Sequence, residues 1–258
     1  MERIKNMVHF VGAGCGAADL ITLRGKKLLE NADVIIYAGS LVNPELLLDR
    51  KEGCAVYNSA EMTLEEVITV MAGAEKSSLD TVRLHTGDPC LYGAIREQMD
   101  RLDALGIPYD SCPGVSAFCG AAPALNLEYT LPGISQSVII TRMAGRTPVP
   151  DRESLRSFAA HGSTLVLFLS AGLLEAAASE LIAGGCDENT PAAIVYKASW
   201  PDEKVIRCTV GTMAARAEEN NIQSTSLILV GETLAQRDYQ RSSLYHPEFT
   251  TGFRKGSS

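Results

Sequence analysis

In Leu84-His85-Thr86-Gly87-Asp88-Pro89-Cys90-Leu91-Tyr92-Gly93, an apolar run ends abruptly in turn-forming residues and a helical pattern begins. Residues 81–84 are typical of a buried strand, and apolar residues recur at helical spacing over 95–105. Ligands of open parallel α/β sheets bind beyond the carboxyl ends of the strands, so Gly87 and Asp88 are candidate ligand contacts. A structural turn is the alternative, because Gly-Asp-Pro is common in loops.

The residues around this loop alternate between strand and helix patterns. Strand patterns cover residues 8–12, 34–38, 81–84 and 109–112, and helix patterns cover 20–31, 63–75, 95–105 and a run of small residues to 124. The strand at 109–112 ends in Pro113-Gly114-Val115-Ser116-Ala117, a second glycine-containing turn. This alternation predicts an N-terminal α/β domain over residues 1–131 with a largely parallel sheet.

A second domain is predicted after Pro132-Gly133, with residues 131–135 as linker. Its strand patterns cover 137–142, 164–169, 192–197, 205–210 and 226–230, and its helix patterns cover 154–160, 173–183 and 212–219. Because strands follow one another more directly here, the domain at 136–233 should contain a mixed sheet. Residues 234–258 are polar and without periodicity, which predicts a loosely ordered tail.

Composition limits the classes of function. The chain has 258 residues, 46% of them hydrophobic and 21% charged, as expected of a soluble globular protein. A net charge of −8 without a polybasic run argues against nucleic-acid binding and against a basic membrane-surface helix. No apolar run approaches the length of a membrane span, and Met1–Asn6 lack the apolar region of a signal peptide. We therefore expect a cytoplasmic protein.

Neither the cysteines nor the histidines are spaced like metal ligands. The seven cysteines are odd in number, are spread along the chain and include no Cys-x-x-Cys pair. The four histidines are isolated from one another in sequence. No metal site is predicted.

The first strand ends in a turn that contains Gly12, Gly14 and Gly16, a partial match to the dinucleotide-binding fingerprint. A nicotinamide-dependent oxidoreductase is therefore one candidate class. Such an enzyme needs an acidic residue at the end of the second strand to hold the ribose, and Tyr37-Ala38-Gly39-Ser40 contains none.

Two further clusters contain candidate binding residues. Arg142 and Arg146 follow a predicted strand directly, and the planar guanidinium of arginine is suited to carboxylates. The alternative is a solvated surface pair. The second cluster, residues 196–204, contains the single tryptophan, Trp200, and either closes a pocket or forms a turn.

Taken together, these motifs resemble the tetrapyrrole methyltransferases and, within them, the enzymes that methylate C11 of precorrin-4 in cobalamin biosynthesis. The resemblance runs in order from about residue 7 to 232. It is carried by Gly-Ala-Gly-Cys-Gly-Ala-Ala-Asp-Leu-Ile-Thr at 12–22, Tyr-Ala-Gly-Ser-Leu-Val at 37–42, His-Thr-Gly-Asp-Pro-Cys-Leu-Tyr-Gly-Ala-Ile at 85–95, Pro-Gly-Val-Ser-Ala at 113–117, Thr-Arg-Met-Ala-Gly-Arg-Thr-Pro-Val-Pro at 141–150 and Tyr-Lys-Ala-Ser-Trp-Pro-Asp-Glu at 196–203.

The resemblance implies two α/β domains, S-adenosylmethionine in the cleft between them, a tetrapyrrole substrate with or without cobalt, and a homodimer. Carried over, it implies that the cofactor contacts Gly87, Asp88, Leu91, Ser116, Ala117, Leu169, Ala198 and Ser226. We further predict that Arg142 and Arg146 hold the acetate and propionate groups of the substrate. A non-catalytic nucleotide sensor remains a rival, and turnover separates it from an enzyme.

One departure concerns the first turn, where Cys15 and Ala17 replace the Pro and Asp of the usual Gly-x-Gly-Pro-Gly-Asp pattern. A nucleophilic role for Cys15 is a candidate, since backbone amides in a glycine turn lower a thiol pKa. Methyl transfer from a sulfonium needs no covalent enzyme intermediate, so we predict a structural role. Asp88 and His85 are candidate bases for proton removal, and the catalytic residues stay open.

Overall fold

The computed structural model describes residues 7–257, so the prediction made for Met1–Asn6 lies outside the described residues. The chain forms two compact units. One contains the described residues up to Ala121 together with Ala198–Asp202, and the other contains Ala122–Lys197 and the described residues from Glu203 onward. The first division thus falls before the linker predicted at 131–135, and the short segment Ala198–Asp202 belongs to the first unit.

The first unit is built on a five-stranded parallel sheet, as predicted. Its strands are β1 (Val8–Gly12), β2 (Val34–Tyr37), β3 (Ala55–Asn58), β4 (Thr81–His85) and β5 (Tyr109–Cys112), in the order β3-β2-β4-β1-β5. Its helices are α1 (Leu23–Asn31), α2 (Leu64–Lys76), α3 (Ile95–Leu105) and α4 (Ala117–Leu125), of which α4 spans the division between the units. β3 was not predicted from the sequence.

Alternating side chains of the central strands cover both faces of this sheet. Val11 and Leu84 pack with Leu29 of α1 on one face, whereas Phe10 packs with Met71 of α2 on the other. Residues of a strand point alternately to opposite faces, so apolar side chains on both sides indicate a sheet buried between helix layers. Ligands of such sheets bind beyond the strand ends.

Caps set where the helices of this unit begin. The Thr22 hydroxyl accepts a hydrogen bond from the backbone N–H of Gly25 at 3.1 Å, so α1 begins at Leu23 rather than at residue 20. Ala18–Leu20 form a separate 3-10 turn. At α2, Thr63 and Glu66 form a reciprocal capping box.

The second unit contains a mixed five-stranded sheet, which confirms the prediction. Its strands are β6 (Val138–Arg142), β7 (Thr164–Phe168), β8 (Pro191–Tyr196), β9 (Lys204–Thr209) and β10 (Ser226–Val230), in the order β6-β7-β10-β8-β9. Only the β6–β7 pair is parallel. The helices are α5 (Leu155–Ala159), α6 (Leu174–Ala183) and α7 (Met213–Glu219). They pack on the core around Leu167, Ile194 and Ile228.

The polar segment after residue 233 is fixed at its start. The side-chain amide of Gln236 donates to the carbonyls of Leu125 and Asn126, and the backbone N–H of Gln240 donates to that of Pro132 at 2.8 Å. A 3-10 turn at Ser243–Tyr245 follows. Among residues 7–257, no helix combines the length and apolar character that a membrane crossing requires.

Candidate functional site

Three loops meet at the carboxyl ends of β1, β4 and β5. Gly12 of β1 pairs with His85 of β4, and β5 pairs with β1 on its other side. Beyond the strands, Gly14 and Gly87 form a further bridge, with the Gly87 N–H donating to the Gly14 carbonyl at 2.8 Å and the Gly14 N–H to the Gly87 carbonyl at 3.3 Å. The Gly-Asp-Pro loop is therefore hydrogen bonded to the first glycine turn.

At this edge of the sheet, the three loops contact one another through backbone atoms. A Cβ added to Gly114 would lie 2.1 Å from the Gly87 carbonyl oxygen and 2.7 Å from Gly12 Cα. A Cβ added to Gly12 would lie 2.5 Å from Gly114 Cα. Gly87 itself adopts a φ of 59°, which glycine tolerates without strain. Three loops approach this closely because none carries a side chain at the contact.

Asp88 joins two of these loops through its carboxylate. One oxygen accepts the Cys90 N–H at 2.8 Å within its own loop, and the other accepts the Gly114 N–H at 3.0 Å from the loop after β5. A carboxylate that accepts two backbone amides is held in place. The structure therefore supports a loop-clamping role for Asp88.

Five of the predicted cofactor contacts cluster at this edge. Ser116 Cα and Ala117 N lie 3.6 and 3.3 Å from the position of a Cβ on Gly87. The Leu91 N–H donates to the Asp88 carbonyl at 3.2 Å, so Leu91 follows within the same turn. Gly87, Asp88, Leu91, Ser116 and Ala117 thus belong to two adjoining loops.

The segment Ala198–Asp202 closes over the first glycine turn. The Ser199 hydroxyl accepts the Ala17 N–H at 3.0 Å, and Trp200 Cδ1 lies 2.3 Å from the position of a Cβ on Gly16. Ala198, another predicted contact, has its Cβ 3.6 Å from the position of a Cβ on Gly120 in α4. Ala198 therefore belongs to the same unit as the five loop residues.

Trp200 lines an open cleft, in a segment that also forms the turn between β8 and β9. The cleft measures about 380 Å³ and is lined by Ala17, Ala18, Asp19, Asn43, Glu45, Ser199, Trp200 and Pro201. Ser199 was not predicted from the sequence as a site residue. The sequence feature that could have identified it is its position between Ala198 and Trp200, in the motif at 196–203.

Cys15 is buried beneath this segment, with its Sγ 3.4 Å from the Ser199 hydroxyl. A Cβ on Gly120 would lie 2.7 Å from the same sulfur, so Cys15 fills space against α4. The neighbouring Cys119 thiol has its pKa raised, mainly by burial.

We therefore expect Cys15→Ala to keep single-turnover methyl transfer within roughly tenfold of wild type, equal to about 1.4 kcal/mol in the barrier. The measurement uses labelled cofactor, with Cys54→Ala as a matched thiol control. Loss of transfer in a folded, cofactor-binding variant, or a methylated Cys15 trapped in wild type, would contradict the structural role.

His85 is a neutral, buried residue at the end of β4. Burial, helped by the charge of Arg83, lowers its pKa to about 3, and its Nε2 has no hydrogen-bond partner among the residues described. Burial also lowers the pKa of Arg83, to about 10, which leaves that guanidinium charged at neutral pH. A histidine with this pKa does not exchange protons near pH 7.

This shift predicts an acid-dependent loss of stability. The folded pKa lies below the ordinary value of 6.5, so the unfolded chain binds the proton more tightly, and stability falls as the pH drops from 6.5 toward 3. We expect wild type to lose about 2 kcal/mol more than His85→Leu between pH 7.5 and pH 5. Urea unfolding at both pH values measures the difference, with exposed His161→Leu as control. Equal losses in wild type and His85→Leu would contradict the assignment.

The second unit carries Arg142, Leu169 and Ser226 at one edge of its sheet. Arg142 pairs with Phe168 at the end of β7, and Ser226 begins β10, which runs antiparallel to β7. The Met143 N–H donates to the Ser170 hydroxyl at 2.8 Å, which joins the loops after β6 and β7. The structure thus gathers these three predicted contacts in one place.

Backbone strain marks the same edge. Leu169 has a φ of 52° and is 70% exposed, and Thr225, directly before Ser226, has a φ of 53°. Non-glycine residues rarely adopt this left-handed region, and such strain concentrates at ligand sites. An exposed, strained leucine contributes little to packing, which favours a ligand contact at Leu169.

The two candidate substrate residues differ in their surroundings. The Arg142 guanidinium donates to the carbonyls of Thr147 at 2.9 Å and Pro148 at 2.7 Å, so it shapes the loop that contains Arg146. Arg146 is exposed. Within residues 7–257, no group of three or more His, Cys, Asp or Glu side chains is placed to hold a metal ion.

Comparison with known proteins gives consistent matches. The model of the tetrapyrrole (corrin/porphyrin) methylases matches residues 7–214. The chain is 50% identical to a cobalt-precorrin-4 C(11)-methyltransferase of Methanocaldococcus jannaschii over 96% of each chain. It superposes on the X-ray structure of cobalt precorrin-4 methyltransferase, a cobalamin biosynthetic enzyme, with a TM-score of 0.86, 44% identity and coverage of 88% of this chain and 95% of the other. Uroporphyrin-III C-methyl transferase of Thermus thermophilus, complexed with S-adenyl homocysteine, gives a TM-score of 0.73 at 27% identity, covering 88% and 93%.

Proposed function

Because the chain belongs to the tetrapyrrole (corrin/porphyrin) methylases, we propose that it methylates C11 of precorrin-4 or cobalt-precorrin-4, giving the corresponding precorrin-5 in cobalamin biosynthesis. S-adenosylmethionine is the methyl donor. The observation that carries this proposal is 50% identity to a cobalt-precorrin-4 C(11)-methyltransferase over 96% of both chains.

The edge formed by the loops after β1, β4 and β5 fits this donor. Its glycines let three loops pack backbone to backbone, and it lies beyond the carboxyl ends of parallel strands, where such sheets bind ligands. We propose that Gly87, Asp88, Leu91, Ser116, Ala117 and Ala198 of the first unit, with Leu169 and Ser226 of the second, contact the cofactor.

S-adenosylmethionine, when bound, supplies an activated methyl group on a positively charged sulfonium. The protein's task is therefore to bind, to orient and to exclude water, and alignment of this kind contributes about 7–11 kcal/mol of the barrier. Asp88 holds two loops in register through backbone amides. His85, whose pKa burial lowers to about 3, stays neutral near pH 7.

Arg142 and Arg146 are proposed to hold carboxylate side chains of the tetrapyrrole. Arg146 is exposed in a loop, and Arg142 holds that loop through hydrogen bonds to two of its carbonyls. Both arginines therefore place positive charge in the same region. Arginine suits this task because its planar fork meets both oxygens of a carboxylate.

We also propose a cytoplasmic homodimer. All seven cysteines are free, as suits a reducing compartment. The resemblance of the motifs implies the dimer.

The deciding experiment incubates pure protein with S-adenosylmethionine and either precorrin-4 or cobalt-precorrin-4, and follows product mass. We expect one methyl group to be added, at a position that NMR of a carbon-13-labelled product identifies as C11. Methylation at another carbon would contradict the assignment.

Calorimetry separates the rival classes. We expect binding of S-adenosylhomocysteine and no binding of NAD. The reverse pattern would favour the oxidoreductase, and cofactor binding without turnover of either tetrapyrrole would favour the nucleotide sensor.

A further inference from the structure

The C-terminal arm, residues 239–256, exposes more apolar surface than its composition suggests. Its large apolar side chains are exposed by 54% at Tyr239, 55% at Leu244, 69% at Tyr245, 46% at Phe249 and 105% at Phe253. With ~200 Å² for one fully exposed aromatic side chain, these residues present roughly 600 Å² of apolar area. This area is summed over five side chains along the arm, and it is comparable with the ~600 Å² upper end for the largest apolar patch on a typical monomer.

The Arg254 side chain makes its hydrogen bonds within the arm. One terminal nitrogen of the Arg254 guanidinium donates to the carbonyls of Leu244 at 3.0 Å and His246 at 2.7 Å. The Ser257 N–H donates to the Pro247 carbonyl at 3.0 Å. The arm is therefore a folded loop around Arg254 that turns its apolar side chains outward.

The arm also differs in charge from the rest of the chain. Residues 239–256 contain three cations, at Arg241, Arg254 and Lys255, and one anion, at Glu248. Their net charge of +2, within a total of −8, leaves −10 for the other residues. Opposite charges steer association and stabilise a complex, so the arm complements the body of its own kind of chain.

We propose that the arm docks on the body of a second copy of this chain, an inference that rests on the homodimer of the proposed function. A standard interface buries about 800 Å² per partner, and one arm supplies most of that area. In a twofold dimer each arm meets the same surface of the other copy, so two arms contribute together. Aromatic side chains dominate the binding energy of such interfaces.

The test compares full-length proteins and one truncated chain by sedimentation equilibrium at several salt concentrations. The arm variant is Tyr245→Ser/Phe249→Ser/Phe253→Ser, and the control variant, Leu23→Ser/Leu48→Ser/Leu105→Ser, changes three leucines that are 82%, 74% and 55% exposed in the first unit. We expect wild type and control to be dimers, and the arm variant to dissociate with a constant raised at least roughly hundredfold. A chain ending at Arg241 should behave like the arm variant. S-adenosylhomocysteine binding within twofold of wild type shows that each protein is folded.

Each other outcome overturns the inference in a different way. If the arm variant and the truncated chain kept the wild-type dissociation constant, the arm would not be part of the interface. The homodimer itself would still hold. A monomeric wild type would reject the homodimer itself, without bearing on methyl transfer. A dimeric arm variant that has lost tetrapyrrole affinity would show that the arm serves the substrate.

Discussion

Replacing Gly114 by alanine is expected to slow single-turnover methyl transfer by at least roughly a hundredfold, because small displacements of a binding loop have effects of that size. The added Cβ would lie 2.1 Å from the Gly87 carbonyl oxygen and 2.7 Å from Gly12 Cα. Both neighbours are backbone, so no side-chain rotation relieves the contact. The loops after β4 and β5 must separate, and the hydrogen bond from Gly114 to Asp88 is strained with them.

The matched control is Gly73→Ala, in the interior of α2, where a Cβ meets nothing within 4 Å. We expect this change to stabilise the protein by about 0.5–1 kcal/mol, because alanine favours helix over glycine. Thermal unfolding and calorimetry with S-adenosylhomocysteine should accompany both variants. If Gly114→Ala kept wild-type transfer and affinity, the close packing of the three loops would have no part in function.

Removing Arg146 or Arg142 is expected to weaken tetrapyrrole binding by roughly ten- to 150-fold, while cofactor binding barely changes. A hydrogen bond to a charged group contributes about 1.5–3 kcal/mol, which converts to that range. Because Arg142 also donates to the carbonyls of Thr147 and Pro148, its loss releases the loop that positions Arg146. The measurement is fluorescence titration of each alanine variant with substrate.

A double-mutant cycle separates bracing from direct contact. If Arg142 acts partly through Arg146, the double variant loses less than the two single variants together predict. The control is Arg216→Ala, an exposed arginine that pairs with Glu219 on α7, for which substrate affinity should not change. Normal affinity in both single variants would leave the arginines as a solvated surface pair.

Elements with strong local signals could be predicted from the sequence. The helix predicted over 95–105 and the strand over 109–112 have the same bounds in the structure, since periodicity and glycine termination agree there. β3 was missed because Ala55–Asn58 is four residues long and half exposed, with no alternation. It exists through pairing with β2, and such tertiary pairing leaves no local pattern.

The sequence predicts which loops form the candidate site, but it does not predict which residues of these loops contact one another. Turn residues mark where a strand ends, so Gly87 and Asp88 were predicted as ligand contacts from local sequence, whereas Ser116 was predicted from the resemblance to the methyltransferases. Asp88 accepts the Gly114 N–H, and the Ser199 hydroxyl accepts the Ala17 N–H. These partners lie 26 and 182 positions apart in the chain. Long-range pairs of this kind depend on the tertiary fold.

The placement of Ala198–Asp202 in the first unit has a consequence for biosynthesis. On the ribosome, the five strands of that unit are complete once β5 has emerged, yet the segment that covers Gly16 and hydrogen bonds to Ala17 emerges only after β8. The first turn therefore reaches its final environment late in translation, when most of the second sheet has been made. A nascent chain stopped before residue 198 has all the strands of its first sheet and an unfinished Gly16 turn, so maturation of the two halves is linked in time.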